Sequence, residues 1–186
     1  MSAVTQHLGS MGGVMLLGLP LWLLLRTLWL LHKQQSPRWG RELLLAGFVL
    51  FLLGLASQTL IGPQWRPEGM DVLDYARYRW QQGWGINLTP GATVRAMLEK
   101  GGRSQKLINL AGNVLIFIPL GFLPPLLWKK WRHLWATLPL CAGVSLLIEF
   151  LQLFLGRSVD VDDLILNVLG GLMGYILFCL IPKKWR

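Results

Sequence analysis

Five apolar runs dominate the sequence, each near the roughly 20 residues that an α-helix, rising about 1.5 Å per residue, needs to cross a hydrocarbon core. They cover residues 11–31, 43–61, 107–128, 134–155 and 164–182. None shows the period-2 alternation of a membrane barrel strand, so the expected fold is all-α: a polytopic transmembrane helical bundle of about five spans. A composition that is 53% hydrophobic and 15% charged lies outside the soluble globular range and agrees. The first run lacks a basic lead-in and an Ala-x-Ala-like site, so it reads as a span rather than a cleaved signal peptide.

The net charge of +9 is placed in a way that excludes nucleic acid as the partner. Arg26, Lys33, Arg38 and Arg41, then Lys129, Lys130 and Arg132, then Lys183, Lys184 and Arg186 all fall on one side if the spans alternate. Cytoplasmic loops are enriched in Lys and Arg, so that side is inside, the N-terminus outside and the C-terminus cytoplasmic. Tryptophans agree, with Trp128, Trp131 and Trp185 near the inner boundary and Trp65, Trp80 and Trp84 in the long outer segment. Cys141 and Cys179 lie inside spans and read as small packing residues, with no disulfide framework.

The chain is read as a single membrane domain, 1–186, comprising two spans in 1–62, an outer loop in 63–106 and a three-span core in 107–182. Within the loop, "DVLDYARYRWQQ" has the spacing of a short amphipathic helix ended by Gly83 and Gly85, lying on the outer leaflet or packed over the bundle. "NLTPGATVRAMLEKGG" follows, with a turn at Pro90-Gly91 and a short helical pattern. In the third run, Pro119, Gly121 and Pro124-Pro125 predict a kinked or broken helix.

The strongly polar residues of the last three spans share one depth. Counting from Leu134, Glu149 sits about 22 Å along the fourth span and roughly 9 Å below its outer end. Gln152 is a turn closer to the exit, and Asn167, Asn109 and Asn113 fall in the first two turns of spans that start outside. Ser145, Glu149 and Gln152 form one helical stripe, Asn109 and Asn113 another, and Asp160, Asp163, Asn167 and Gly171 a third. A charged side chain inside a membrane helix costs about 2.5–3.5 kcal/mol even on forgiving scales, so it faces the interior and a partner; Arg157 is the expected partner of Glu149.

Each residue has a structural alternative. Asp160 or Asp163 could cap the last helix, the asparagines could be interhelical glue, Glu149 with Arg157 could be a buried ion pair, and Gly170-x-x-x-Gly174 could be pure packing. Their common depth favours a site. Glu149, Arg157, Asp160 and Asp163 are the candidate catalytic residues, and Asn109, Asn113, Gln152 and Asn167 the candidate substrate-binding residues. His7, His32 and His133 lie away from the cluster, so zinc is not expected and no metal ligands are assigned; Asp160 and Asp163 nevertheless offer the carboxylate oxygens that a divalent cation prefers.

These residues carry a resemblance. Through "NLTP", "NLAGNVLIFIPLGFLPPLL" and "SLLIEFLQLFLGRSVDVDDLILNVLGGLMGYIL", residues 87–181 resemble the VanZ-like membrane protein family, with Gly91 standing where that pattern usually has an aromatic. The resemblance implies a protein of the bacterial cytoplasmic membrane, and kinship with membrane enzymes that exchange or hydrolyse phosphate-linked lipid head groups. The motif positions it picks out are Asn113, Pro119, Gly121, Glu149, Gln152, Arg157, Asp160, Asp163, Asn167 and Gly171. The family's namesake belongs to glycopeptide-resistance clusters, a property not transferred to this chain.

The expected function is therefore action on, or binding of, phosphate-linked lipid head groups at the outer leaflet, with membrane lipids or lipid-linked precursors as partners. Arg157 would clamp phosphate oxygens, Glu149 would act as general acid or base, and Asp160 and Asp163 would orient a nucleophile. A non-enzymatic binding protein and a scaffold subunit of an envelope complex are the alternatives. A channel is disfavoured because the polar residues do not continue inward.

Overall fold

A computed structural model describes residues 3–60, 67, 69–93, 95 and 103–185, without the side chains of 3–12, 103–109 and 185. The described helices are α1 (Ala3–His32), α2 (Trp39–Leu60), α3 (Val72–Gln82), α4 (Arg103–Leu127), α5 (Leu134–Phe154) and α6 (Val161–Leu180). Five of them contain segments long and apolar enough to cross a membrane, as the apolar runs predict. Their outward faces are rich in exposed leucine, isoleucine and tryptophan, which a lipid environment accommodates and water does not. Two two-residue strands, β1 (Ile86–Asn87) and β2 (Val159–Asp160), pair in parallel, Ile86 opposite Val159 and Asn87 opposite Asp160.

The chain divides into two compact units, residues 1–62 and 63–186. The first is the α1–α2 hairpin. Gly18 leaves room for the Leu53 side chain, whose Cδ1 would lie 2.5 Å from any Cβ at that position. Near the turn of the hairpin, Arg26 and Glu42 form a bidentate ion pair, Nε to Oε2 at 2.7 Å and Nη2 to Oε1 at 2.8 Å. Arg26 also lies over the Trp29 ring, 4.4 Å from its centroid.

In the second unit α4 and α6 make the most extensive contact, with α5 against α6. A Cβ on Gly170 would fall into the Val114 carbonyl, and one on Gly174 into the Ile118 carbonyl, one helical turn further along α4. The two backbones meet because these positions carry no side chain. Phe117, Leu120, Cys141, Ile148 and Phe178 fill the core around that seam. Of the kink or break expected in the third span, the break does not occur: α4 runs unbroken from Arg103 to Leu127. Pro124 and Pro125 are fully buried, and packing against neighbouring helices holds the chain helical despite the backbone donors that proline lacks.

At the basic end of this unit the connection between α4 and α5 is tied down by carbonyls. Thr137 Oγ1 donates to Trp131 O at 2.6 Å, Arg132 Nε to Pro125 O at 3.2 Å, and Tyr175 Oη to Arg132 O at 3.0 Å. The opposite end carries α3 and the strand pair. Asp71 caps α3, its side chain accepting from the Leu73 amide, and the helix ends, as its sequence predicts, at Gly83 in the left-handed region, φ +64°. It packs over the end of α5 with Tyr75, Ala76 and Arg79 inward, while Leu73 and Trp80 remain exposed.

Candidate functional site

Chain reversal at the end of α5 sets the geometry. Leu155 closes the helix, Gly156 takes φ +70°, and the Arg157 amide returns to Gln152 O at 3.1 Å, a Schellman-type ending. The remaining carbonyls of that end would be orphans. Arg79 takes them: Nη1 donates to Leu153 O at 2.7 Å and Gln152 O at 3.3 Å, Nη2 to Arg157 O, and the same guanidinium reaches Trp84 O and Gly85 O. Arg79 is 2% exposed and ligated by carbonyl oxygens, at the negative pole of a helix. A Cβ on Gly85, itself at φ +68°, would lie 2.9 Å from Nη2, so the loop must pass there as glycine.

The strand pair then brings the "NLTP" loop onto the "DVDD" segment. Asp160 is the N-cap of α6. Its Oδ1 accepts from the Asp162 amide at 2.9 Å and from Asn87 Nδ2 at 2.8 Å, and its Oδ2 from Thr93 Oγ1 at 2.7 Å. Asp162, 4% exposed, accepts from the Gly91 amide at 2.6 Å and the Thr93 amide at 2.8 Å. Charge-assisted hydrogen bonds of this kind are about twice as strong as neutral ones, so the two carboxylates clamp the loop over the helix ends.

Beneath the clamp lies the polar seam. Glu149, 8% exposed, accepts the Asp160 amide through Oε2 at 3.0 Å. Asp163, half-buried in the first turn of α6, accepts from Asn113 Nδ2 on α4. One turn deeper, Asn167 Nδ2 donates to Ser145 Oγ at 2.9 Å. Asn167 is 5% exposed, and its Oδ1 has no partner among the described residues.

Glu149, Asp160, Asp163, Asn113 and Asn167 are thus brought to one end of the α4–α6 bundle. Gln152 is buried on the same face of α5, and Asn109 lies outside the residues whose side chains are described. The expected Glu149–Arg157 ion pair does not form. Arg157, roughly two turns beyond Glu149 along the chain, is within reach by sequence alone, but the chain reverses at Gly156, and the Arg157 guanidinium makes no hydrogen bond or ion pair among the described residues. Asp160, predicted to orient a nucleophile, instead has both oxygens engaged by the loop and the helix start. Among the described residues no group of three or more His, Cys, Asp and Glu side chains is arranged to hold a metal ion.

The residues that the polar stripes missed are Arg79, Asn87, Thr93 and Asp162. Asp162 lies about 200° around the helix from Asp160, so a stripe argument discards it. Arg79 shares the face of Tyr75 and Ala76 at positions i, i+1 and i+4, which is the one sequence signal that it turns inward.

The match to known families coincides with this geometry. The VanZ/LLP1 family matches residues 43–182, which include the whole clamp and seam. The chain belongs to the VanZ/LLP1 family. No curated protein and no solved structure matches it. The VanZ/LLP1 segment begins at residue 43, so it takes in most of α2 and the whole loop carrying Arg79, further toward the N-terminus than the motifs alone indicate.

Proposed function

We propose that this VanZ/LLP1 membrane protein engages the phosphate-linked head group of a membrane lipid or lipid-linked precursor at the end carrying α3, and that Glu149 exchanges a proton with it. The supporting observation is a carboxylate 8% exposed near the end of an apolar helix, with the guanidinium of Arg157, unpaired among the described residues, three residues beyond that helix. Basic residues cluster at the opposite end of the spans, which favours the site facing outward from the cytoplasmic membrane of a bacterium. In this reading Arg157 forks onto phosphate oxygens, and Glu149 takes the proton of an attacking hydroxyl or delivers one to the leaving oxygen. Asn113 holds Asp163 in place beside it, and Asp160 and Asp162 keep the loop closed over the seam.

Glu149→Gln tests this directly, because a glutamine oxygen can still accept the Asp160 amide while no longer shuttling a proton. We expect the variant to melt within about 1 kcal/mol of wild type, the scale of one hydrogen bond. Its turnover of lipid-linked substrates, read by mass spectrometry of membrane lipids against a deletion strain, should fall by about 100-fold or more. Unchanged turnover in both Glu149→Gln and Arg157→Ala would remove the catalytic reading.

A second reading is a non-enzymatic binding or scaffold protein. It is favoured by the engagement of Glu149, Asp160 and Asp162 in closing the fold. Head-group binding that survives Glu149→Gln and is lost in Arg157→Ala, with no product from wild type, selects it.

A further inference from the structure

The hairpin of the first unit carries a polar cleft of its own, about 460 Å³, at the turn between α1 and α2. Its walls include Arg26, Arg38, Arg41 and Glu42, which leave two positive charges in excess, with Gln34 and Gln35 as neutral donors. Arg26 is immobilised by its two bonds to Glu42, which occupy Nε and one Nη2 hydrogen and leave the Nη1 edge open. Arg38 and Arg41 are exposed, and neither guanidinium makes a hydrogen bond or contact ion pair among the described residues. The cleft lies at the ends of two membrane-spanning helices, beside exposed Trp29, Trp39, Leu31 and Leu43. Interfacial tryptophans and spans of this length put its mouth in the head-group layer.

We propose that this cleft binds the phosphate of an anionic membrane lipid, gripped by Arg38 and Arg41 against the fixed edge of Arg26. The position argues for a lipid source rather than a dissolved anion, since a lipid arrives in the plane where the cleft opens and its acyl chains can lie along the exposed leucines. Guanidinium forks match phosphate oxygens in pairs, which a generally basic turn does not require. Every residue lining the cleft precedes residue 43, where the family match begins.

Lys33 provides the discriminating control. It stands in the same turn with the same charge, but it does not line the cleft. The full-length protein is placed in phosphatidylcholine nanodiscs with increasing phosphatidylglycerol, and retained lipid is counted by native mass spectrometry. The double variant Arg38→Gln/Arg41→Gln should weaken phosphatidylglycerol retention well beyond the roughly 30-fold that unspecific attraction of about 1 kcal/mol per basic residue would remove, while Lys33→Gln should change it by about fivefold at most. Arg38→Lys/Arg41→Lys keeps the charge and the fold while losing the forks, and should fall between them.

Equal losses from Lys33→Gln and Arg38→Gln would overturn the proposal in favour of unspecific surface attraction. Wild-type retention in the Lys-for-Arg pair would overturn the fork. Displacement of the lipid by inorganic phosphate at matched concentration would assign the cleft to a free anion instead.

Discussion

The two halves of α6 solve opposite problems against the same neighbours. From Gly170 to Gly174 the helix has no side chains at the contact, and its backbone meets that of α4 directly. From Asp160 to Asn167 it carries carboxylates and amides, and each contact runs through a hydrogen bond. The glycine half is specified by shape alone, so any added atom is costly. The polar half is specified by donor and acceptor matching, so isosteric exchange is cheap and loss of a partner is expensive. Only the second kind of surface leaves groups able to act on a ligand.

The contrast can be broken most severely in the glycine half. Gly174→Leu drives a side chain into the Ile118 carbonyl and should cost more than about 3 kcal/mol, the upper range for overpacking, so little folded protein should survive size-exclusion chromatography in mild detergent. A well-folded Gly174→Leu protein would mean that the backbones do not touch.

Next comes Arg79→Met, which fills the space but removes the guanidinium donors from the end of α5, leaving the Arg157 amide on Gln152 O. Unsatisfied buried carbonyls cost about 1–3 kcal/mol each, partly relieved by water, and we expect about 3 kcal/mol in thermal unfolding with the 83–93 loop newly open to protease. Asp162→Ala should cost about 2 kcal/mol and speed hydrogen exchange at the Gly91 and Thr93 amides while leaving the helix cores protected.

The smallest effect sharpens the comparison. Asn167→Leu removes one bond to Ser145, but it also removes an acceptor that has no partner among the described residues, so the bundle should melt within about 1 kcal/mol of wild type. Stability retained with lipid-directed activity lost would mark Asn167 as kept for a ligand. A loss beyond about 2 kcal/mol would mark it as structural glue.

Much of this was legible in the sequence because its causes are local. Span length fixes five membrane helices, Gly83 marks where α3 ends, and helical spacing puts Glu149 with Ser145 and Asp163 with Asn167. Illegible features depend on partners far along the chain. Arg79 meets carbonyls 73 to 78 residues away, and Asp162 meets amides 69 to 71 residues away. No periodicity encodes such pairings. The Glu149–Arg157 pairing failed for a local reason, since nearness along the chain does not say which way the backbone turns and Gly156 reverses it. The prolines do not break α4, because burial against other helices overrides that local tendency.

Those long separations give the protein a timetable. Arg79 leaves the ribosome 78 residues before Arg157, an interval of roughly 4 to 16 s at typical elongation rates of about 5–20 residues per second. For that time a lone guanidinium and a half-finished strand wait at the membrane surface with nothing to hold. The contacts that hold α3 and the 83–93 loop to the bundle are therefore among the last that the growing chain can form.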